Sequence, residues 1–232
     1  MKVEIFSDVA CPWCAIGKRR FESALAQFDH AEDVEVRWRS FELDPTAPLR
    51  SDADAATHLA HKYGTSPDEA RSRLASMASM AAAEGRELNF DTVQRTNTFD
   101  AHRLLHYAYE VGVQDALKER LFDAYFSEGE TIGDPETLVR LGEQVGLDPE
   151  KCAEVLASGR YGDEVRSDER DAHDLGISGV PFFVIDRHFG ISGAQSAEVI
   201  LDVLNRAWSS NRLSVVVPPT GGQVCDDESC EV

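Results

Sequence analysis

The chain has 232 residues, with 42 acidic against 23 basic side chains and a formal net charge of −19. A field of that sign repels phosphate backbones and anionic lipid, so neither a nucleic-acid nor a membrane partner is expected. With 42% hydrophobic and 28% charged residues, the composition is that of a globular protein able to bury a core without disulfides or metal. No run approaches the ~18 apolar residues of a membrane span. Glu4 and Asp8 interrupt any leader-like apolar stretch near the start, so a cytoplasmic protein is expected.

The first element, KVEIFSDV (2–9), alternates as a short strand does. After it comes CPWC, then apolar residues Ile16, Phe21, Leu25 and Phe28 at helical spacing. Pro12 suits the first turn of that helix, where its missing N–H had no partner anyway. VEVRWRSFEL (34–43) is a second strand, ended by DPTAP (44–48). A β-α-β unit therefore fills the first 48 residues.

From 49 to 177 the pattern turns helical. Segments are predicted at 52–63, 67–84, 98–112, 114–127, 135–145, 149–158 and 161–175, punctuated by glycines. Strand signals return in GVPFFVIDRHFGISG (179–193), a hairpin turning at Asp186–Arg187. AQSAEVILDVLNRAW (194–208) closes as an amphipathic helix, and residues 209–232 read as a loose acidic tail. The order is βαβ, a large helical insertion, then ββα over 178–208.

Five cysteines fall as Cys11/Cys14, Cys152 alone and Cys225/Cys230, which is not a disulfide framework. CPWC has three readings: a redox dithiol, half a metal site, or two small buried residues. Its place at a strand-to-helix junction favours the first. The free N–H groups and dipole of a helix N-terminus stabilise a thiolate at Cys11. Cys14, one turn on, lies on the same helix face and is placed to resolve a mixed disulfide. Cys11 is thus expected to be exposed and nucleophilic. A zinc site commonly needs two such pairs. Cys225-x4-Cys230 has the wrong spacing for a compact ribbon, and His58/His61 and His102/His106 fall on separate helices, so no metal is expected. The tail pair reads either as an auxiliary redox pair exchanging with Cys11/Cys14 or as unpaired solvent-exposed thiols. Cys152 is expected to pack as a small apolar residue.

CPWC after a first strand, the long helical stretch, GVPFFVI and GISGAQ together resemble the DsbA family of thioredoxin-fold proteins. WRSFELDP (38–45) and NTFDAHRLLHYA (97–108) make the FrnE-like branch the nearer match, in order over residues 1 to 208. The resemblance implies an α/β thioredoxin fold with a large all-helical insertion between the second and third strands. It also implies a cis Val180–Pro181 bond facing CPWC, with Val180 pairing an extended substrate and Pro181 keeping metals off the thiols. A buried proton-shuttle acid is common in the fold, with Glu4, Asp8 and Glu42 as candidates and Lys18 nearby. Asn97 and His102 are candidates to line the cleft. Relatives that use glutathione, the kappa-class glutathione transferases and 2-hydroxychromene-2-carboxylate isomerases, carry serine where this chain has Cys11.

The reading is a thiol–disulfide oxidoreductase, a disulfide reductase or isomerase. Cys11 is nucleophile, Cys14 resolves, Pro12 and Trp13 shape the motif, and Val180 and Pro181 hold substrate. No cofactor beyond the redox-active disulfide is required, with glutathione as an optional thiol donor. Partners are disulfide-containing proteins or small thiols. Trp13 stands where strongly oxidising periplasmic relatives have histidine, so a milder oxidant is expected. The alternatives are a glutathione-dependent transferase or isomerase on the same fold, and a thiol- or zinc-based redox sensor.

Overall fold

The computed structural model describes residues 1–50 and 54–210. Its sheet has four strands: β1 (Lys2–Ser7), β2 (Glu35–Ser40), β3 (Phe182–Ile185) and β4 (Phe189–Ser192), in the order β2-β1-β3-β4. β1 pairs parallel with β2 and antiparallel with β3, and β4 is antiparallel to β3. The parallel pair needs a crossover, and helix α1 (Pro12–Leu25) supplies it. The antiparallel pair needs only a tight turn. Asp186 and Arg187 both take positive φ there (47° and 59°), the two-residue geometry that matches strand twist.

Between β2 and β3 lie α2 (Ala55–Tyr63), α3 (Pro67–Ala83), α4 (Phe99–Val111), α5 (Gln114–Phe122), α6 (Pro135–Gln144), α7 (Pro149–Ala157) and α8 (Gly162–Asp174). Local chemistry starts several of them. Ser66 and Glu69 form a reciprocal capping box around Pro67 at the first helical position. Asp134 and Asp148 cap α6 and α7, each followed by proline at the first helical position. α9 (Ala197–Ser210) closes the chain.

Several boundaries differ from those read in the sequence, each for a visible reason. α1 stops at Leu25, although Phe28 remains buried, because tighter backbone turns carry the chain from there. β2 ends at Ser40, since the Leu43 N–H leaves the ladder to donate to Asp8 Oδ2 at 2.8 Å. The predicted 114–127 helix becomes α5 plus a wider π turn over Asp123–Ser127. α9 begins three residues late because the Gly193 N–H donates to the Pro181 carbonyl (2.9 Å), holding that segment as a loop.

Alternation sorts the sheet into two faces. Val3, Ile5, Trp38, Phe183 and Ile185 pack against Phe21 and Ala24 of α1 and Ile200, Leu204 and Ala207 of α9. Phe6 and Val184 face Ala172 and Ile177 on the other side. A third apolar cluster fills the helical block with Leu104, Leu117, Leu121, Phe122 and Leu141, and it includes Val9, Cys11, Cys14, Ala15 and Ile16. The block's core is therefore continuous with the first turn of α1. Among the described residues, no helix is long and apolar enough to cross a membrane.

Candidate functional site

Cys11 is the N-cap of α1, with extended backbone (φ −96°, ψ 113°) and no side-chain cap. Its carbonyl accepts the N–H groups of Cys14 (3.0 Å) and Ala15 (3.2 Å), which sets the first turn. Across the chain, the Val180–Pro181 peptide is cis, and Cys11 Sγ donates to the Val180 carbonyl at 3.6 Å. Gly17 lets α1 approach this loop: a Cβ there would lie 2.9 Å from Pro181 Cγ. CPWC and Val180–Pro181, remote in sequence, therefore meet.

Burial corrects one expectation. Cys11 is 3% exposed and Cys14 fully buried, whereas Trp13 is 37% exposed. Cys11, but not Cys14, lines a ≈340 Å³ cleft. Trp13 and Val180 line it as well, together with His58, Lys62 and Tyr63 of α2. Arg95 in the same cleft is ion-paired with Asp44. An adjoining ≈140 Å³ cavity reaches Leu74, Met77 and Phe90.

The electrostatics correct another. A helix N-terminus alone would lower the Cys11 pKa. Instead the Cys14 thiol bonded to it, burial and the Asp8 carboxylate push the Cys11 thiol well above its ordinary value. Asp8 is 1% exposed, accepts the N–H groups of Leu43 (2.8 Å) and Ala10 (3.3 Å), and lies 3.4 Å from His102 Nε2. Burial opposes ionisation of Asp8, yet His102, the Leu43 N–H and Lys118 hold its carboxyl below its usual range. Burial pushes the His102 imidazole below its ordinary value, against the pull of Asp8.

The shuttle candidates separate cleanly. Asp8 lies at the thiols. Glu4 is taken up by Arg39 and Arg187, and Lys18 by Glu22, Asp115 and Glu119. Glu42 pairs with Arg166 while burial lifts its carboxyl to about 7. Neither Asn97 nor His102 lines the cleft. Asn97 Oδ1 instead accepts the Phe99 N–H (2.9 Å) at the start of α4, and His102 stands behind Asp8. Thr96, Thr98 and Tyr125 line the cleft in their place. Cys152 is fully buried among apolar residues. Cys225 and Cys230 lie outside the described residues. Among the described residues no group of three or more His, Cys, Asp or Glu is arranged to hold a metal ion. Sequence reasoning did not place His58 or Lys62 in this cleft, which only the packing of α2 against the CPWC turn reveals.

A model of the DSBA-like thioredoxin domain matches residues 2–205. The chain belongs to the DSBA-like thioredoxin family. YwbO of Bacillus subtilis is 32% identical over 185 residues, covering 79% of this chain and 86% of YwbO. The crystal structure of a "probable DsbA oxidoreductase" from Streptomyces coelicolor superposes with a TM-score of 0.88 at 44% identity, over 97% of this chain and all of that one. The cytosolic disulfide reductase DsbM of Pseudomonas aeruginosa, solved with GSH, shares the fold (TM-score 0.62, 18% identity, 90% of this chain and 100% of that one). The fold expected from the sequence, DSBA-like with helices between the second and third strands, is the one observed.

Proposed function

We propose that this DSBA-like protein is a thiol–disulfide oxidoreductase acting through Cys11 and Cys14. The observation that carries the reading is the bond from Cys11 Sγ to the Val180 carbonyl, with Cys14 buried one turn behind. Cys11 attacks a substrate disulfide and Cys14 resolves the mixed disulfide. The Val180 backbone and Pro181 position the substrate chain, while Pro12 and Trp13 shape the rim. Substrates are disulfide-bearing proteins or small disulfides, reduced in the cytoplasm with no cofactor beyond the dithiol itself. The GSH-bound DsbM fold and the ≈340 Å³ cleft support glutathione as a thiol donor.

Two experiments test this. A Cys14→Ala chain is expected to stall as a mixed disulfide on Cys11 when offered oxidised substrate, seen as an added mass that a thiol reductant removes. No adduct on Cys11 would overturn the assignment. The second reads direction. A strong oxidant such as DsbA, at about −120 mV, owes its potential to a stabilised reduced form. Here the Cys14 thiol, burial and Asp8 raise the Cys11 pKa, and the exposed Trp13 indole supplies no cation to the thiolate. The couple is therefore expected to equilibrate with glutathione well below about −120 mV. A potential at or above that value would reject the reductase direction.

A further inference from the structure

Two buried hydroxyls in the Cys11 cleft have no partner inside the protein. Tyr125 and Thr98 line the cleft together with Cys11 and Val180, and each residue is 4% exposed. Among the described residues neither hydroxyl makes a hydrogen bond. Neither oxygen is sealed in, so each opens to the cleft that its residue lines. Thr98 stands at the N-cap of α4, where threonine ordinarily spends its hydroxyl on a free helix N–H. Here Asn97 Oδ1 accepts the Phe99 N–H (2.9 Å) instead. Thr98 contributes only its carbonyl, which accepts the His102 N–H at 3.0 Å. Nearby Thr96 shows the usual outcome, since its hydroxyl donates to the Leu49 carbonyl at 2.7 Å.

An uncommon backbone presents Tyr125. It sits in the π turn over Asp123–Ser127, a geometry that gathers at functional sites. The turn is held from both sides: the Phe126 carbonyl accepts the Asn89 N–H and the Ala124 carbonyl the Glu130 N–H, both at 2.8 Å. The Tyr125 ring packs edge-on against Phe126, with centroids 4.8 Å apart at 82°. Burial pushes its phenol up, so the hydroxyl keeps its proton and stays a donor. The charged groups of the cleft are committed or stand at its edge. Arg95 is paired with Asp44, and Lys62 is exposed. Asp8 lines the same cleft, with its carboxyl held below its usual range. A carboxylate brought to the two hydroxyls would meet that negative charge, whereas a neutral acceptor would not.

We propose that the Tyr125 and Thr98 hydroxyls form a neutral hydrogen-bonding subsite for a main-chain amide next to the substrate's disulfide sulfur. The protein then favours peptide disulfides over small disulfides that carry no amide. The proposal rests on the dithiol reading above and names the substrate class of that site. A peptide amide offers a carbonyl that accepts from a hydroxyl and an N–H that donates to one, and a hydroxyl serves in either role. A buried hydroxyl without a partner is unfavourable, so a ligand that meets both satisfies what the fold leaves unmade. A site built around such groups rejects an analogue that leaves them unpaired. A disulfide without amides is that analogue.

The test reacts the pre-reduced full chain with two probes, the disulfide of N-acetylcysteine N-methylamide and hydroxyethyl disulfide. Formation of the Cys11–Cys14 bond is followed by alkylation and mass spectrometry. Each rate constant is divided by that of dithiothreitol with the same disulfide, which removes intrinsic reactivity. Wild type is expected to favour the amide probe by about 10-fold or more. Tyr125→Phe and Thr98→Val each delete one hydroxyl at nearly constant volume and should cut that preference about 3- to 10-fold. Their melting temperatures should equal or exceed that of wild type, because neither hydroxyl bonds within the fold. A preference that neither variant moves would overturn the proposal. Faster reaction with the free-carboxylate disulfide of N-acetylcysteine than with its amide would overturn it too. Failure of the dithiol reading looks different: no probe then joins Cys11 to Cys14 in any of the chains, and the proposal falls with it.

Discussion

A Cys11→Ser chain is expected to lose disulfide-reducing activity on the order of 10³-fold or more, measured as insulin reduction driven by a small thiol. A serine hydroxyl can keep the hydrogen bond to the Val180 carbonyl, so the cleft should survive the change. It cannot form the covalent sulfur–sulfur bond that thiol–disulfide exchange requires. Cys14 cannot substitute, because it is fully buried and no substrate sulfur reaches it. Retention of most of the activity would reject the assignment of Cys11. The same variant probes the alternative chemistry, since serine at this position resembles the glutathione-dependent transferases and isomerases. Conjugation of glutathione to an aromatic electrophile, undiminished in Cys11→Ser, would favour that reading.

The second large effect concerns stability rather than turnover. Arg39→Met is expected to destabilise the protein by ~3–5 kcal/mol at pH 7. Arg39 is 8% exposed and binds Glu4, Asp168 Oδ1 (2.6 Å) and Asp171 Oδ2 (2.7 Å) from β1 and α8. Arg187 still reaches Glu4 and Asp171, at 2.6 and 2.7 Å. Asp168 keeps only the Ser40 N–H (2.8 Å) and His106 (3.3 Å). The sign with pH follows from the carboxyls. Burial opposes ionisation of Glu4 and Asp168, but Arg187 and Arg39 beside the first, and His106 and Arg39 beside the second, hold both below their ordinary values. Arg187 and Arg39 do the same for Asp171. Depressed folded values contribute stability above the unfolded values of ~4 and lose it as pH falls through the folded ones. The gap between wild type and Arg39→Met should therefore narrow on acidification below the unfolded values, read by urea unfolding at pH 7 and at about pH 2.5. A loss under about 1 kcal/mol at pH 7 would show that the network is not structurally required.

Much of this frame was legible in the sequence. CPWC between an alternating strand and a helical run placed two cysteines at a strand-to-helix junction, and the family resemblance set GVPFFVI opposite them. The helical segments predicted to begin at 67, 135 and 149 do so, each started by a side-chain cap at Ser66, Asp134 or Asp148. What the sequence hid depends on tertiary environment. The acidity of Cys11 is decided by burial, Cys14 and Asp8, none of which spacing reveals, and they outweigh the helix N-terminus that spacing does reveal. The predicted shuttle candidates could not be ranked until Arg39, Arg187 and Arg166 took Glu4 and Glu42 away from the thiols.

The apolar cluster that joins the helical block to the first turn of α1 has a practical consequence. Trimming the chain to its βαβ and ββα pieces would strip Val9, Cys11, Cys14, Ala15 and Ile16 of their packing partners. The CPWC turn would then be a frayed end instead of a fixed cap. Anyone trimming this scaffold should keep the helices, which act as the mould in which that turn is cast.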